Sequence, residues 1–302
     1  MRLDTVRGVA EQFTAACVQM DPRVGDKRHN IGRTIDLMDE AAARGARLVV
    51  LPELCTTGYV FESRAEVLGL AETLSASPTR ATWEEICRRR DIYVVAGIAE
   101  RDGDHLYNSA LVIGPAGHVG TFRKVHLWDR ENLYFTPGGQ GFSVFETAIG
   151  RLGVAICYDG WFPESYRVCA LQGADIVCIP TNWIPEPNQE GQPAMGAILC
   201  MANAHVNGVY VMAADRVGSE RGQNFVGQSV ITSYTGWPIA GPASGEREEI
   251  IYAEVDLAQS RRHDWGRFNH PLRDRRDAYY GADLGARGAP SRMAAHGEVG
   301  KE

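Results

Sequence analysis

Short apolar runs alternate with helix-like segments along most of the chain, and no other feature limits the fold as tightly. FTAACVQM reads as a buried strand. NIGRTIDLMDEAAARGA follows it and sets Ile31, Ile35, Met38 and Ala42 at helical spacing, with Gly45 as a stop. RLVVLPEL is a second apolar strand, TRATWEEICRRR a helix, and DIYVVAGIAE a third strand. LYNSALVIGPAGHVGTFRKVHL reads as two strands around a Gly/Pro turn. The second half repeats this architecture without repeating its residues: strand RLGVAIC, helix PESYRVCALQGA opened by proline, strand DIVCIPTNW and helix PAMGAILCMANAHVNG. VYVMAA, GQSVITSYTGWPIA and EEIIYAEVDL add three more strands. Strands and helices in alternation, with hairpins among them, predict sheets covered by helices, an α/β layered fold.

No linker-like stretch divides the chain, so residues 14–280 read as one domain. Residues 1–13 read as an N-terminal arm. Residues 281–302, rich in Gly and Ala, read as an extension that covers the surface or meets a partner. The formal charge of -7 offers no basic face for nucleic acid. Seven cysteines, several inside apolar runs, do not make a disulfide framework. No stretch approaches the length of a membrane span, and the N-terminus lacks the pattern of a secretory leader. The expected setting is a reducing cytoplasm, with no membrane partner.

Three residues carry candidate chemistry. Cys157 ends the apolar run of GVAICYDGWFPE and is followed at once by a polar, aromatic turn. A lone cysteine beside Val-Ala-Ile is ordinarily a small core hydrophobe. A thiol at a strand-to-helix turn, however, has open backbone N–H groups nearby that can hold an oxyanion. Glu53 ends the apolar strand LVVLPEL, where burial would raise its pKa into the range of a proton shuttle; the ordinary alternative is a loop carboxylate. Lys124 is one of only three lysines among 31 basic residues. The period of two in FRKVHLW puts it on one face with His126, and the ordinary alternative is a solvated strand lysine. A nucleophile, an oxyanion ligand and a proton donor are what hydrolysis of an amide requires, and Cys, Lys and Glu supply them in turn. A cysteine–histidine pair using His126 or His205 remains open on these residues. The eight histidines show no metal-ligand spacing, so no metal is expected, and TPGGQG and GPASGE read as turns, not phosphate loops.

Taken in order, LVVLPEL, FRKVHLW, ENLYFTPG, GVAICYDGWFPE and GADIVCIPTNW resemble the nitrilase superfamily of carbon–nitrogen hydrolases, over about residues 14–280. The resemblance implies an α-β-β-α sandwich of two packed sheets. It also implies association through outer helices into a homodimer or larger oligomer. It implies Cys157 as nucleophile, Glu53 as base and acid, Lys124 as oxyanion ligand, and Glu131 as a positioning carboxylate. The backbone N–H of Tyr158 is implied as the second oxyanion donor, with no cofactor.

CYDGWFPE resembles the amidase and N-carbamoyl amidase branches, above all the N-carbamoylputrescine amidases, since true nitrilases usually carry Trp-Glu after the cysteine. The expected substrate is therefore a small amide or N-carbamoyl amine. Nitrile hydrolysis and acyl transfer to an amine are the alternative activities, and a non-catalytic binding protein on the same fold is the third. Tyr59, Trp128, Asp159, Trp161, Asn182 and Trp183 are the candidate substrate contacts, with Glu186 a further possibility for a cationic tail.

Overall fold

The apolar runs of both halves become the central strands of two six-stranded sheets. The computed structural model describes residues 12–262 and 264–280. The expected C-terminal extension, 281–302, and residues 1–11 of the expected arm lie outside them. Gln12, read as arm, instead opens the first strand, which runs on from the Phe13 of FTAACVQM. In chain order the first half runs β1 (Gln12–Gln19), α1 (Lys27–Ala43), β2 (Ala46–Val50), α2 (Arg64–Leu70), α3 (Pro78–Arg90), β3 (Tyr93–Asp102), β4 (His105–Gly114) and β5 (Gly117–Arg123). The second half runs α4 (Glu131–Tyr134), β6 (Val144–Thr147), β7 (Gly150–Val154), α5 (Pro163–Leu171), β8 (Ile176–Pro180), α6 (Met195–Asn207) and β9 (Tyr210–Ala214). It closes with β10 (Ser219–Glu220), β11 (Gln223–Asn224), β12 (Val230–Thr232), β13 (Pro238–Ala240) and β14 (Glu249–Asp256).

The first sheet has the order β14-β1-β2-β3-β4-β5 and the second β13-β12-β9-β8-β7-β6. In each, three neighbouring parallel strands form the middle: β1, β2 and β3 in one, β7, β8 and β9 in the other. Antiparallel strands complete both sheets. β1, β2 and β3 face β8, β9 and β12, so the sheets pack on one another. α1 and α3 cover the outside of the first sheet, and α5 and α6 the outside of the second. This is the expected α-β-β-α sandwich. Among the described residues, no helix is long and apolar enough to cross a membrane.

The outer helices form where local signals agree. Asp26 caps α1 by accepting from the His29 N–H (3.1 Å), and Ser77 caps α3 ahead of Pro78 by accepting from the Arg80 N–H (2.9 Å). The buried stripe of α1 differs from the expected one. Asn30, Thr34, Leu37, Met38 and Ala41 face the core, while Ile31, Ile35 and Ala42 are only partly covered. The two polar members are satisfied inside: Asn30 donates to the Arg23 and Thr56 carbonyls, and Thr34 accepts from the Trp83 indole (3.0 Å). GQSVITSYTGWPIA is not one strand but a hairpin, β12 and β13, with a turn held by Ser233 and Trp237.

The chain divides into two compact units, Met1–His263 and Asp264–Glu302. The first holds both sheets. Within the second, among the described residues, an isolated bridge joins Gly266 to Asn269, and Asp274 accepts from the His270 N–H.

Candidate active site

The parallel strands β2, β7 and β8 end on one side of the sandwich, and each delivers a polar residue just past its last ladder bond: Glu53, Cys157 and Asn182. Sites outside the carboxyl ends of parallel strands are the rule in α/β folds, because loops there are free to present side chains.

Glu53 is completely buried. Its backbone lies directly on β3, and Gly97 makes this possible: a Cβ at Gly97 would stand 2.6 Å from the Glu53 Cα and 2.4 Å from the Leu54 nitrogen. Lys124 Nζ and Asn108 Nδ2 each donate to Glu53 Oε1 at 2.7 Å. Asn182 Nδ2 donates to the Glu53 carbonyl at 2.9 Å. Oε2 receives no hydrogen bond from the protein. Burial pushes the carboxyl up, Lys124 opposes this and Glu131 adds to it, leaving the pKa raised to about 7.

Lys124 follows β5, its N–H donating to the Asn108 carbonyl (2.8 Å). Its ammonium bridges Glu53 Oε1 and Glu131 Oε1, both at 2.7 Å. Burial alone would weaken its hold on a proton, but the adjacent Glu131 and Glu53 carboxylates override that and hold its pKa well above the ordinary range. An ammonium has three donors. Two are engaged here, by Glu53 and Glu131. Glu131 opens α4, and its Oε1 also accepts from the Tyr59 hydroxyl at 2.6 Å.

Cys157 stands at φ 45°, in the left-handed region that a non-glycine residue occupies at a cost of about 1–3 kcal/mol. It begins a short 3-10 turn, Cys157–Trp161, that leads into α5. Tyr158 comes next, and its N–H is among the leading amides of that turn, beyond reach of an intrahelical carbonyl. Burial and the Glu53 charge raise the thiol pKa well above its ordinary value, against the pull of Lys124 and hydrogen bonding toward Thr181 and the Asn182 backbone. Above the Glu53 pKa the resting pair is therefore a thiol beside a carboxylate. Cys157 is 7% exposed, whereas each of the other six cysteines is at most 1% exposed.

A recess of about 300 Å3, counting the space at its mouth, opens on Cys157. Trp128, Tyr158, Trp161, Asn182 and Trp183 wall it, and Glu186 stands among its lining residues. A second chamber of about 540 Å3 adjoins it across Trp128 and Ile184 and reaches Tyr59 and Glu131. Five of the six expected contacts therefore line these chambers. Asp159 does not: it is fully buried and turned into the protein, accepting from the Ile156 N–H (3.0 Å), the His126 N–H (2.9 Å) and the His126 ring (2.8 Å). Three nitrogens around the cysteine turn need an acceptor, and the Asp159 carboxylate supplies it. His126 does not share the Lys124 position as strand alternation suggested, because β5 ends at Arg123; its ring stacks on Phe162 at 3.8 Å. His205 Nδ1 meets the Thr235 carbonyl (2.9 Å). Neither geometry pairs a histidine with the sulfur. Asn108 was not expected. Its one signal was an amide inside the apolar run LYNSALVIG, since a buried amide must find partners.

The fold agrees with the comparison to known proteins. Residues 14–263 match the family model described as carbon-nitrogen hydrolase. The chain belongs to the carbon-nitrogen hydrolase family. A nitrilase of Pyrococcus abyssi is 42% identical over 265 residues, covering 88% of this chain and 98% of that protein. An N-carbamoylputrescine amidase of Solanum tuberosum is 33% identical, covering 84% of this chain and 89% of that one. A crystal structure of a carbon-nitrogen hydrolase from Helicobacter pylori superposes with a TM-score of 0.82 at 31% identity, covering 92% of this chain and 99% of that one. This carbon-nitrogen hydrolase thus shares its fold and nearly its full sheet-bearing unit with nitrilase and amidase relatives.

Proposed function

We propose that the protein is a cysteine-dependent hydrolase that cleaves a small amide or N-carbamoyl amine and releases ammonia. One observation carries this reading: a strained cysteine lines a recess beside the Lys124 ammonium and a buried carboxylate with one free oxygen. Because the thiol is harder to ionise than Glu53, its proton passes to Glu53 as the C–S bond forms, not before. The carbonyl oxygen becomes an oxyanion against the third Lys124 N–H and the Tyr158 amide. Glu53 returns the proton to the departing nitrogen, ammonia leaves, and a thioester remains. Water then gives its proton to Glu53 and attacks the thioester. The acid and the free thiol are restored, or, from a carbamoyl thioester, a carbamate that falls apart to amine and CO2. Each step uses one proton and one site for it, which suits a carboxyl titrating near neutrality.

The aromatic walls favour a compact, partly apolar group beside the carbonyl. CYDGWFPE and the relative named N-carbamoylputrescine amidase support the carbamoyl form, in which Glu186, among the lining residues of the recess, would meet a cationic tail. The relative named nitrilase supports a second reading, conversion of a nitrile to acid and ammonia. Ammonia release from matched aliphatic amides, ω-amides, N-carbamoyl amines and nitriles separates them. The amide or carbamoyl members are expected to turn over fastest. A nitrile in first place would replace this reading with the second, and silence across the panel would end both.

The same reading includes self-association. Val168 and Leu171 on α5, and Met195, Ile198 and Val206 on α6, leave large apolar side chains exposed on neighbouring outer helices. A homodimer formed on this face would cover them. Sedimentation at micromolar concentration is expected to give at least twice the chain mass, with Ile198→Glu shifting it to the monomer; a wild-type monomer would refute the association.

A further inference from the structure

Resting on the proposed chemistry, we infer that Glu220, backed by Arg216, is a positioning residue that sets the Tyr59 hydroxyl against Glu131 and through it aims the Lys124 ammonium. Glu220 lies on β10, far along the chain from Tyr59, and is 3% exposed. Its Oε2 accepts two consecutive backbone donors, the Tyr59 N–H (2.8 Å) and the Val60 N–H (2.9 Å). Its Oε1 accepts from Arg216 Nη1. Arg216 is itself wholly buried, donating to Asp21 Oδ1 (2.9 Å) and the Pro22 carbonyl (3.1 Å) while its guanidinium lies 4.1 Å over the Phe225 ring. Phe225 in turn meets the Tyr59 ring edge-on at 6.1 Å. Next to Glu220, Arg221 donates to the Val60 carbonyl (2.7 Å) and pairs with Glu66.

The small hairpin β10–β11 therefore holds a pocket loop by both of its amides and by one of its carbonyls. The fit leaves no slack. A Cβ at Gly58, at φ +78°, would stand 2.7 Å from Glu220 Oε1 and 2.5 Å from the Val24 Cα. Burying an arginine and a glutamate for packing alone is poor economy, since desolvating two charges offsets most of their attraction. What the pair does supply is a rigid acceptor at a defined place. From there three bonds reach the reacting centre: the Glu220 grip on the loop, Tyr59 hydroxyl to Glu131 Oε1 (2.6 Å), and Lys124 Nζ to that same oxygen (2.7 Å). A loop displaced by a fraction of an ångström would withdraw the hydroxyl, and Lys124 would be shared differently between Glu131 and Glu53.

The test is a kinetic cycle of wild type, Glu220→Gln, Tyr59→Phe and the double variant, on the best amide or carbamoyl substrate. The amide in Glu220→Gln keeps the size but must turn a donor toward either Arg216 or the loop amides. Its kcat is expected to fall on the order of 10- to 100-fold with KM nearly unchanged, because misplacement of catalytic groups costs rate more than binding. In the Tyr59→Phe background the same change should cost less than about threefold, since both act through one hydroxyl. Equal losses in both backgrounds, or an unchanged kcat in Glu220→Gln, would overturn the inference. If Glu220→Gln does not fold, Phe225→Leu takes its place in the cycle. It loosens the Tyr59 ring and the Arg216 guanidinium stacked on Phe225 while leaving every charged group in place, and the same two outcomes decide. An active wild type with an additive cycle removes only this inference, whereas a wild type inert to the whole panel removes the proposed function and this inference with it.

Discussion

Cys157→Ala is expected to abolish ammonia release, by on the order of a millionfold in kcat, as loss of a covalent nucleophile does elsewhere. The fold should survive. Cys157 already lines a recess, so removal of its sulfur enlarges that recess and opens no new cavity. A stability change of about 1 kcal/mol, a few degrees in the unfolding midpoint, is the most expected. Calorimetry and ammonia assays on the same preparation check both halves. Cys87→Ala is the opposite control, because Cys87 is fully buried on α3 among Trp83 and Ile86. That variant should lose stability and keep kcat. A Cys157→Ala protein with full turnover would leave the Glu53–Lys124–Glu131 cluster without the chemistry assigned to it.

Much of this site was legible because its residues are out of character with their neighbours. A glutamate closing LVVLPEL, a rare lysine in FRKVHLW and a cysteine before a Gly-Trp-Phe-Pro turn each break a local pattern. Their ordered combination pointed to the family and to the α-β-β-α sandwich. What stayed hidden depends on distances that no local pattern encodes. Asp159, two residues from the cysteine, reads as a substrate contact by proximity. It faces inward because the left-handed turn at Cys157 leaves the Ile156 N–H and both His126 donors in need of an acceptor. Asn108 sits 55 positions from Glu53, and Glu220 sits 161 from Tyr59, so only the packed sheets bring those pairs within hydrogen-bond reach.

The same distinction explains the differences in fold. The apolar stripe of α1 was read from hydrophobicity alone, yet Asn30 and Thr34 take fully buried positions and leave Ile31 and Ile35 partly covered, because their polar atoms find buried partners. GQSVITSYTGWPIA looks continuous because its turn, at Ser233–Trp237, contains β-formers on both sides. The edge strand β6, with exposed and half-buried residues only, carries no alternation strong enough to mark it.

The second large effect follows from the charge balance around Lys124. Lys124→Met keeps the bulk of the side chain but removes the positive charge that Glu53 and Glu131 share in a site closed to solvent. Loss of an oxyanion ligand alone costs about 10²–10³ in kcat. Loss of one partner from a buried ion cluster costs about 3–5 kcal/mol of stability as well. The pH dependence separates this from simple damage. Glu53 has its pKa raised to about 7, so in the wild type kcat/KM should rise with pH through a midpoint near 7, as the carboxyl loses its proton and becomes able to accept one from the thiol. Removing the ammonium takes away the attraction that opposes burial, so the variant's midpoint must move to higher pH. Stability obeys the same sign. A buried carboxyl whose pKa is higher folded than unfolded favours the fold while protonated, and that support is lost as pH climbs from the ordinary carboxyl range through the folded pKa. In Lys124→Met that loss should extend further into the alkaline range, visible as an unfolding midpoint that falls more steeply with pH than in the wild type. A variant that loses rate while its acid limb stays near 7 would mean that the titrating group is not held by Lys124, and the proton path through Glu53 would have to be redrawn.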